Sequence, residues 1–388
     1  MRKHTPPWVV KPLVPAPVYT DRQEFLDYFH HIAHEAAHRR TLSTVLLGRR
    51  RMGKTEIFKR VVNRLFFEQD PADPLAVVPV YYSFPGTVKD EQNFATEYLE
   101  NLMRYYVGFY THQPALITDA PAGEQLLARI EKARHLYPFT RMLDLLLEKY
   151  DTVVKGTHLP AKVALWTPRR LSDIDDSTHV IFLDEFQNTR LPQYNFDIVG
   201  WMQEAVESPT CPHFVTGSAM SILAREIIGR GALFGRFRSK VIEPLSGYWG
   251  AELALRAARF YGATLPEIMS PIVADRCGGN PFYIAAVVQQ SVELQEPLTN
   301  EEAINRTLAV DLSSGFIWGE LHDQVSRWIE RLNDYGITKW ILYLSALEED
   351  EDSEKPDRIS LERIQRELKR REGQDVSLQT IKEVLVKL

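Results

Sequence analysis

Residues 44–55 run TVLLGRRRMGKT, an apolar segment that stops at Gly48 and continues into three arginines, Met52, Gly53, Lys54 and Thr55. From Gly48 to Thr55 the spacing is G-x-x-x-x-G-K-[ST], and its surroundings are the ones this loop needs, a strand before it and a helix after it. The helix is supplied by TEIFKRVVNRLFFEQ (55–69), where Ile57, Val61, Val62, Leu65 and Phe66 recur at helical spacing. Glycines let such a loop curl until successive N–H groups and the helix N-terminus point at phosphate oxygens. Lys54 is then expected to reach the β- and γ-phosphates. Thr55 is expected to offer its hydroxyl to Mg²⁺, whose small octahedral shell favours hard oxygen ligands. Arg49, Arg50 and Arg51 fill variable positions of the loop, so their side chains either lie near phosphate or a partner, or point into solvent.

Downstream, HVIFLDEF (179–186) is an apolar strand that ends in two acids. Ligands of open α/β sheets bind at the carboxyl ends of the strands, which is where Asp184 and Glu185 fall. Phosphoryl transfer needs a positioned metal and an oriented nucleophile, so Asp184 is expected to hold Mg²⁺ and Glu185 to polarise the attacking water. The next strand-like run, HFVTGSA (213–219), ends in Thr216, Gly217 and Ser218. Ser218 reads either as a sensor of the γ-phosphate or as a turn former. Gln187 and Asn188 follow the acids and read either as partners of the same water or as helix-capping or surface residues.

Two more apolar runs complete the pattern, AVVPVYYSF (76–84) and SKVIEPL (239–245). Pro79 marks the first as an edge or irregular strand. Strands alternating with helix-length sequence predict an α/β core with a mainly parallel sheet of the additional-strand type, covered on both faces. The predicted organisation is an extended, proline-rich arm over 1–20, a core over 21–245 with a helical insertion around 93–155, a helical lid over 246–332, and a helix-turn-helix-like region over 333–388. The sequence stops at Leu388, where a winged version would need its wing. The acidic stretch EEDEDSEKPD (348–357) reads as a solvated loop.

With 388 residues, two or three domains are expected. A net charge of -6 argues against a surface coated in basic residues, so any nucleic-acid contact would be local. Two cysteines, Cys211 and Cys277, cannot build a disulfide framework, which fits a reducing, cytoplasmic setting. No stretch approaches the ~18 uninterrupted apolar residues of a membrane span. His30, His34 and His38 stand at i, i+4, i+8 on one helix, a spacing able to bind metal but read here as a solvated or partly packed face, for want of further ligands.

Taken in order, YTDRQEFLDYF (19–29), GRRRMGKTE (48–56), FLDEFQN (182–188), GSAMSIL (217–223), GALFGRF (231–237) and CGGNPFYI (277–284) resemble the archaeal-type ATPases within the STAND and AAA-like P-loop proteins. The resemblance reaches to about residue 290. It implies an ATPase core, a helical lid and a C-terminal winged helix, with ATP and Mg²⁺ as ligands. Gly48, Arg49, Arg50, Arg51, Met52, Gly53, Lys54, Thr55 and Glu56 would form the nucleotide loop, Asp184 and Thr55 would hold the metal, and Glu185 and Ser218 would serve hydrolysis and sensing. The resemblance further implies that Arg236 meets phosphate, in cis or from a neighbouring subunit, although an arginine there also serves as a plain ion-pair partner. Pro281 resembles the lid proline that touches nucleotide in STAND relatives, and it equally suits a helix start. Ala219 stands where relatives commonly carry a second hydroxyl.

The function this implies is an ATP-hydrolysing switch or assembly motor. It would be coupled to double-stranded DNA or a protein partner through the C-terminal helices, and homo-oligomers are compatible with it. Two other classes share the loop: a nucleotide-stabilised binding module with little turnover, and a P-loop kinase.

Overall fold

TVLL forms strand β1 (Thr44–Leu47), buried at all four positions because both faces of the sheet are covered. The sheet adds β2 (Val77–Ser83), β3 (Thr178–Asp184), β4 (His213–Thr216) and β5 (Arg238–Val241). Their spatial order is β2-β3-β4-β1-β5, with every neighbouring pair parallel. β4 thus lies between the strand that feeds the glycine loop and the strand that ends in the acids, which is the additional-strand arrangement expected from the sequence. β2 is an edge strand, as Pro79 predicts, since a residue without N–H is tolerated there. The computed structural model of the chain describes residues 8–139, 141–217, 227, 231–332, 338, 361–373 and 375–387.

Alternation along the strands sorts the aromatic residues onto two faces. On one, Phe182 of β3 and its register partner Phe214 of β4 meet Phe58 of α2 (Lys54–Glu68) and Phe29 of α1 (Gln23–Ala37). Their ring centroids are 5.2–5.4 Å apart in edge-on contacts, each worth about 0.5–1.5 kcal/mol beyond area burial. On the other, Tyr82 of β2 packs on Tyr98 of α3 (Glu91–Tyr110) at 5.0 Å. Helices α4 (Ala115–Thr118), α5 (Gly123–Ala133), α6 (Arg141–Val154) and α7 (Pro160–Asp175) follow before β3. The helical region between β2 and β3 therefore runs further than the 93–155 read from sequence. Pro160 and Pro168 look like breakers, but Pro160 occupies the first turn of α7, and Pro168 is buried inside it.

Helix α8 (Ile198–Ala205) precedes β4, and α9 (Gly247–Tyr261), α10 (Ser270–Arg276), α11 (Pro281–Glu293) and α12 (Glu301–Ser314) follow β5. The chain packs as two units, residues 1–304 and 305–388, so the helical stretch 246–332 is divided between them. Within the second unit lie the end of α12, α13 (Phe316–Leu332), α14 (Leu361–Glu372) and α15 (Leu378–Lys387). Ile364 and Leu368 of α14 pack on Ile381 and Val384 of α15. The first helix of the expected helix-turn-helix and the acidic stretch lie outside the described residues. Among the described residues no helix is long and apolar enough to cross a membrane.

Two histidines are sealed in the sheet, His179 on β3 and His213 on β4. His213 Nδ1 lies 3.0 Å from the Cys211 carbonyl, while His179 stacks on Tyr106 at 5.7 Å and its Nε2 has no partner. Burial pulls both imidazoles down to about 4. The folded state thus binds these protons later than the unfolded chain does, so their contribution is complete above the unfolded value near 6.5 and is lost as pH falls from there to about 4. Each shift corresponds to roughly 3 kcal/mol. The urea midpoint is expected to drop steeply between pH 7 and 5, and His179→Phe is expected to flatten that drop. A midpoint independent of pH over this interval would contradict the buried-neutral assignment.

Candidate active site

Gly48 follows β1 directly and is packed against Ile242, the residue after β5. A Cβ there would stand 2.3 Å from Ile242 Cγ2 and 2.8 Å from the Ile242 carbonyl, so the first glycine of the loop is required by close approach. Arg51 and Gly53 take left-handed backbone angles (φ 65° and 93°), and α2 starts at Lys54. Lys54 is 6% exposed, with Nζ 2.7 Å from the carbonyls of both Gly48 and Arg49, so its ammonium closes the loop on itself. Burial pulls this ammonium down to about 8, against the upward pull of Asp184 and Glu185.

β3 delivers Asp184 to the same place. The carboxylate is 2% exposed and accepts from the Tyr81 hydroxyl at 2.9 Å, from the Glu185 N–H at 2.8 Å and from the Thr55 hydroxyl. Tyr81 sits in register with Phe182, two residues before Asp184 on the same face, and this diagonal brings the phenol to the carboxylate. Burial and then the neighbouring Glu185 charge push the Asp184 carboxyl above its ordinary value, while the three donors draw it back. Glu185 takes a left-handed backbone (φ 52°), and its carboxylate contacts the Gln187 carboxamide. Asn188 Nδ2 donates to the Phe84 carbonyl at 2.9 Å, tying the segment after the acids to the end of β2.

The structure therefore brings together Gly48, Gly53, Lys54, Thr55, Asp184 and Glu185. A buried carboxylate with an adjacent acid and a threonine hydroxyl is a hard-oxygen set with local negative charge, which fits Mg²⁺. Met52 is buried at 3% exposure, and Arg49 and Arg51 are exposed. The Arg51 guanidinium lies 4.7 Å over the Phe282 ring, next to Pro281 at the start of α11, so a variable arginine of the loop touches the helical region. Thr216 is fully buried and gives its hydroxyl to the Leu46 carbonyl at 3.1 Å, and Ser218 lies outside the described residues. The Arg236 guanidinium stands 2.8 Å from Glu207 and donates to the Ala232 carbonyl at 3.2 Å. It precedes β5, whose first residue Arg238 is in register with Thr44, so Arg236 sits at the amino edge of the sheet while the loop leaves the carboxyl edge. His30 meets His34 edge-on at 4.6 Å and stands 3.4 Å from Glu68. Among the described residues no group of three or more His, Cys, Asp or Glu is arranged to hold a metal.

Glu56 points away from the loop. Its carboxylate is buried and accepts from the N–H groups of Leu13 (2.7 Å) and Val14 (3.3 Å) and from Arg60 Nε (2.6 Å). Asn63, two turns on, accepts from Val9 and Val10, and the Arg60 guanidinium lies 3.9 Å over the Tyr19 ring. The proline-rich arm is thereby strapped along α2, directly behind Thr55. Glu56→Ala strands two N–H groups and the arginine, and it is expected to cost about 2–4 kcal/mol. Limited proteolysis should then cut within residues 8–20; an arm as resistant as in the wild type would show that the strap holds without Glu56.

Tyr81 escaped the sequence reading because a tyrosine in a strand reads as core, whereas Glu56, read as part of the nucleotide loop from its place beside Thr55, is bonded to the arm instead.

Comparison with protein-family models gave no match, and comparison with curated proteins gave none either. Solved structures do match. A Walker-type ATPase of Pyrococcus abyssi superposes with a TM-score of 0.51 at 16% identity, covering 97% of this chain and 91% of that one. The Orc1 protein of Aeropyrum pernix, solved in complex with DNA, superposes with a TM-score of 0.52 at 14% identity, covering 98% and 86%. The chain has the α/β P-loop fold of these proteins, with its five-stranded parallel sheet and helical C-terminal region.

Proposed function

We propose that this chain is an Mg²⁺-dependent ATPase that acts as a nucleotide-controlled switch or assembly motor, coupled to double-stranded DNA or to a protein partner. The observation that carries the reading is the convergence of Lys54, Thr55, Asp184 and Glu185 at one edge of the sheet. Lys54 donates to the Gly48 and Arg49 carbonyls. ATP would take over that ammonium, with its β- and γ-phosphates against the loop N–H groups. Bound Mg²⁺, held through Thr55 and Asp184, would neutralise charge on the phosphates. Glu185, whose charge acts on the Lys54 ammonium, would accept the proton of the attacking water. Ser218 keeps its proposed role as sensor.

Arg236 sits at the opposite edge of its own sheet, which favours a phosphate contact supplied to a neighbouring copy over one in cis. The Arg51–Phe282 contact would let phosphate binding alter the seating of α11, where Pro281 is proposed to meet nucleotide. The complex of Orc1 with DNA makes double-stranded DNA the first partner to try. ATP turnover at several protein concentrations, with and without duplex DNA, tests the coupled reading. Specific activity that rises with concentration or DNA supports it. Activity flat against both would leave a solitary ATPase awaiting a protein partner, and negligible turnover with firmly held nucleotide would replace the enzyme by a nucleotide-stabilised binding module.

A further inference from the structure

We infer that Gln187 is the positioning residue for Glu185 and that its own carboxamide is seated by Gly217 at the end of β4, an inference that rests on Glu185 serving hydrolysis. Gln187 is 1% exposed, an unusual burial for a carboxamide unless it is fully used. Its Nε2 donates to Glu185 Oε2, which fixes the rotamer of a carboxylate whose backbone is held left-handed. The other end of the amide faces Gly217, where a Cβ would stand 2.3 Å from Gln187 Oε1. Residue 217 follows Thr216, and Thr216 is in register with Leu46, one residue before the end of β1. The strand inserted between the loop strand and the acid strand is thus linked to the acid through one side chain. A shift at the end of β4 moves Gln187, and Gln187 moves Glu185. Ångström-scale displacement of a base costs up to about 100-fold in rate without any change in the groups that bind substrate.

Two variants separate this role from mere packing. Gly217→Ala lies at a position whose backbone is not left-handed; its new methyl collides with the far end of the Gln187 side chain and meets the Phe186 backbone nitrogen at an ordinary contact distance of 3.4 Å, so the fold survives while the carboxamide is displaced. Gln187→Ala removes the carboxamide itself. Single-turnover ATP hydrolysis is expected to slow about 10- to 100-fold in each variant, with the Kd for a fluorescent ATP analogue within about twofold of wild type. The double variant is expected to be no slower than Gln187→Ala alone, because the methyl at 217 then has no carboxamide to displace and stands at ordinary contact distance from the Phe186 backbone. Wild-type hydrolysis by Gln187→Ala, losses that multiply in the double variant, or affinity that falls in step with rate would each overturn the inference while leaving the ATPase reading intact. A wild-type protein that binds ATP yet releases no phosphate overturns the hydrolytic reading and this inference with it.

Discussion

Lys54→Met is expected to weaken ATP binding by about 30- to 5000-fold while leaving the nucleotide-free protein as stable as the wild type or more so. The two halves of this result have one origin. The Lys54 ammonium is buried, and desolvation draws it down to about 8 although two acids stand nearby. A depressed folded value means that the unfolded chain holds this proton more tightly, so the charged lysine opposes folding at neutral pH and that opposition fades as pH rises through 8 toward 10.5. Methionine keeps the apolar stem and removes the desolvated charge. For ATP the sign reverses, because the same ammonium is the fixed counter-charge at the phosphates. Truncating one member of such a buried pair costs about 2–5 kcal/mol, roughly 30- to 5000-fold in Kd. Thermal unfolding with and without ATP reads both effects: the midpoint of the variant should match or exceed that of the wild type without ligand and should rise far less than that of the wild type when ATP is added. A variant that unfolds several degrees lower without ligand would show that the bonds to Gly48 and Arg49 outweigh desolvation.

Glu185→Gln is expected to lower turnover by about 100- to 10,000-fold, the range of a positioned general base, with ATP affinity preserved. Affinity is preserved because the phosphate and metal contacts are assigned to Lys54, Thr55 and Asp184, none of which needs the Glu185 carboxylate. The neutral amide also relieves repulsion on the buried Asp184, so Mg²⁺-free ATP should bind at least as well as to the wild type. Loss of affinity in parallel with turnover would reassign Glu185 to binding.

The core of this site was legible because it is local. A glycine loop between a strand and a helix, and two acids at the end of an apolar strand, are short patterns whose physics needs few distant residues. The sheet was legible for the same reason: continuous apolar runs such as HVIFLDEF are what a strand buried on both faces requires. What escaped depends on register and on packing between distant segments. Tyr81 reaches Asp184 only because β2 and β3 pair in one register, 103 residues apart in sequence. Glu56 adjoins Thr55, and only the path of the arm over α2 shows that its carboxylate faces Leu13 and Val14. The helices between β2 and β3 run on past residue 155 through α7, whose interior holds the buried Pro168, a breaker by propensity that tertiary packing overrides.

Phosphate release from a single turnover of ATP and Mg²⁺, compared between the wild-type chain and Glu185→Gln at matched nucleotide occupancy, tests the central claim most directly. Release by the wild type and its near absence in the variant, with both equally loaded, is the result expected of a hydrolytic site built from the Lys54 loop and the Asp184–Glu185 strand end; equal release by the two proteins, or none from a fully loaded wild type, would contradict it.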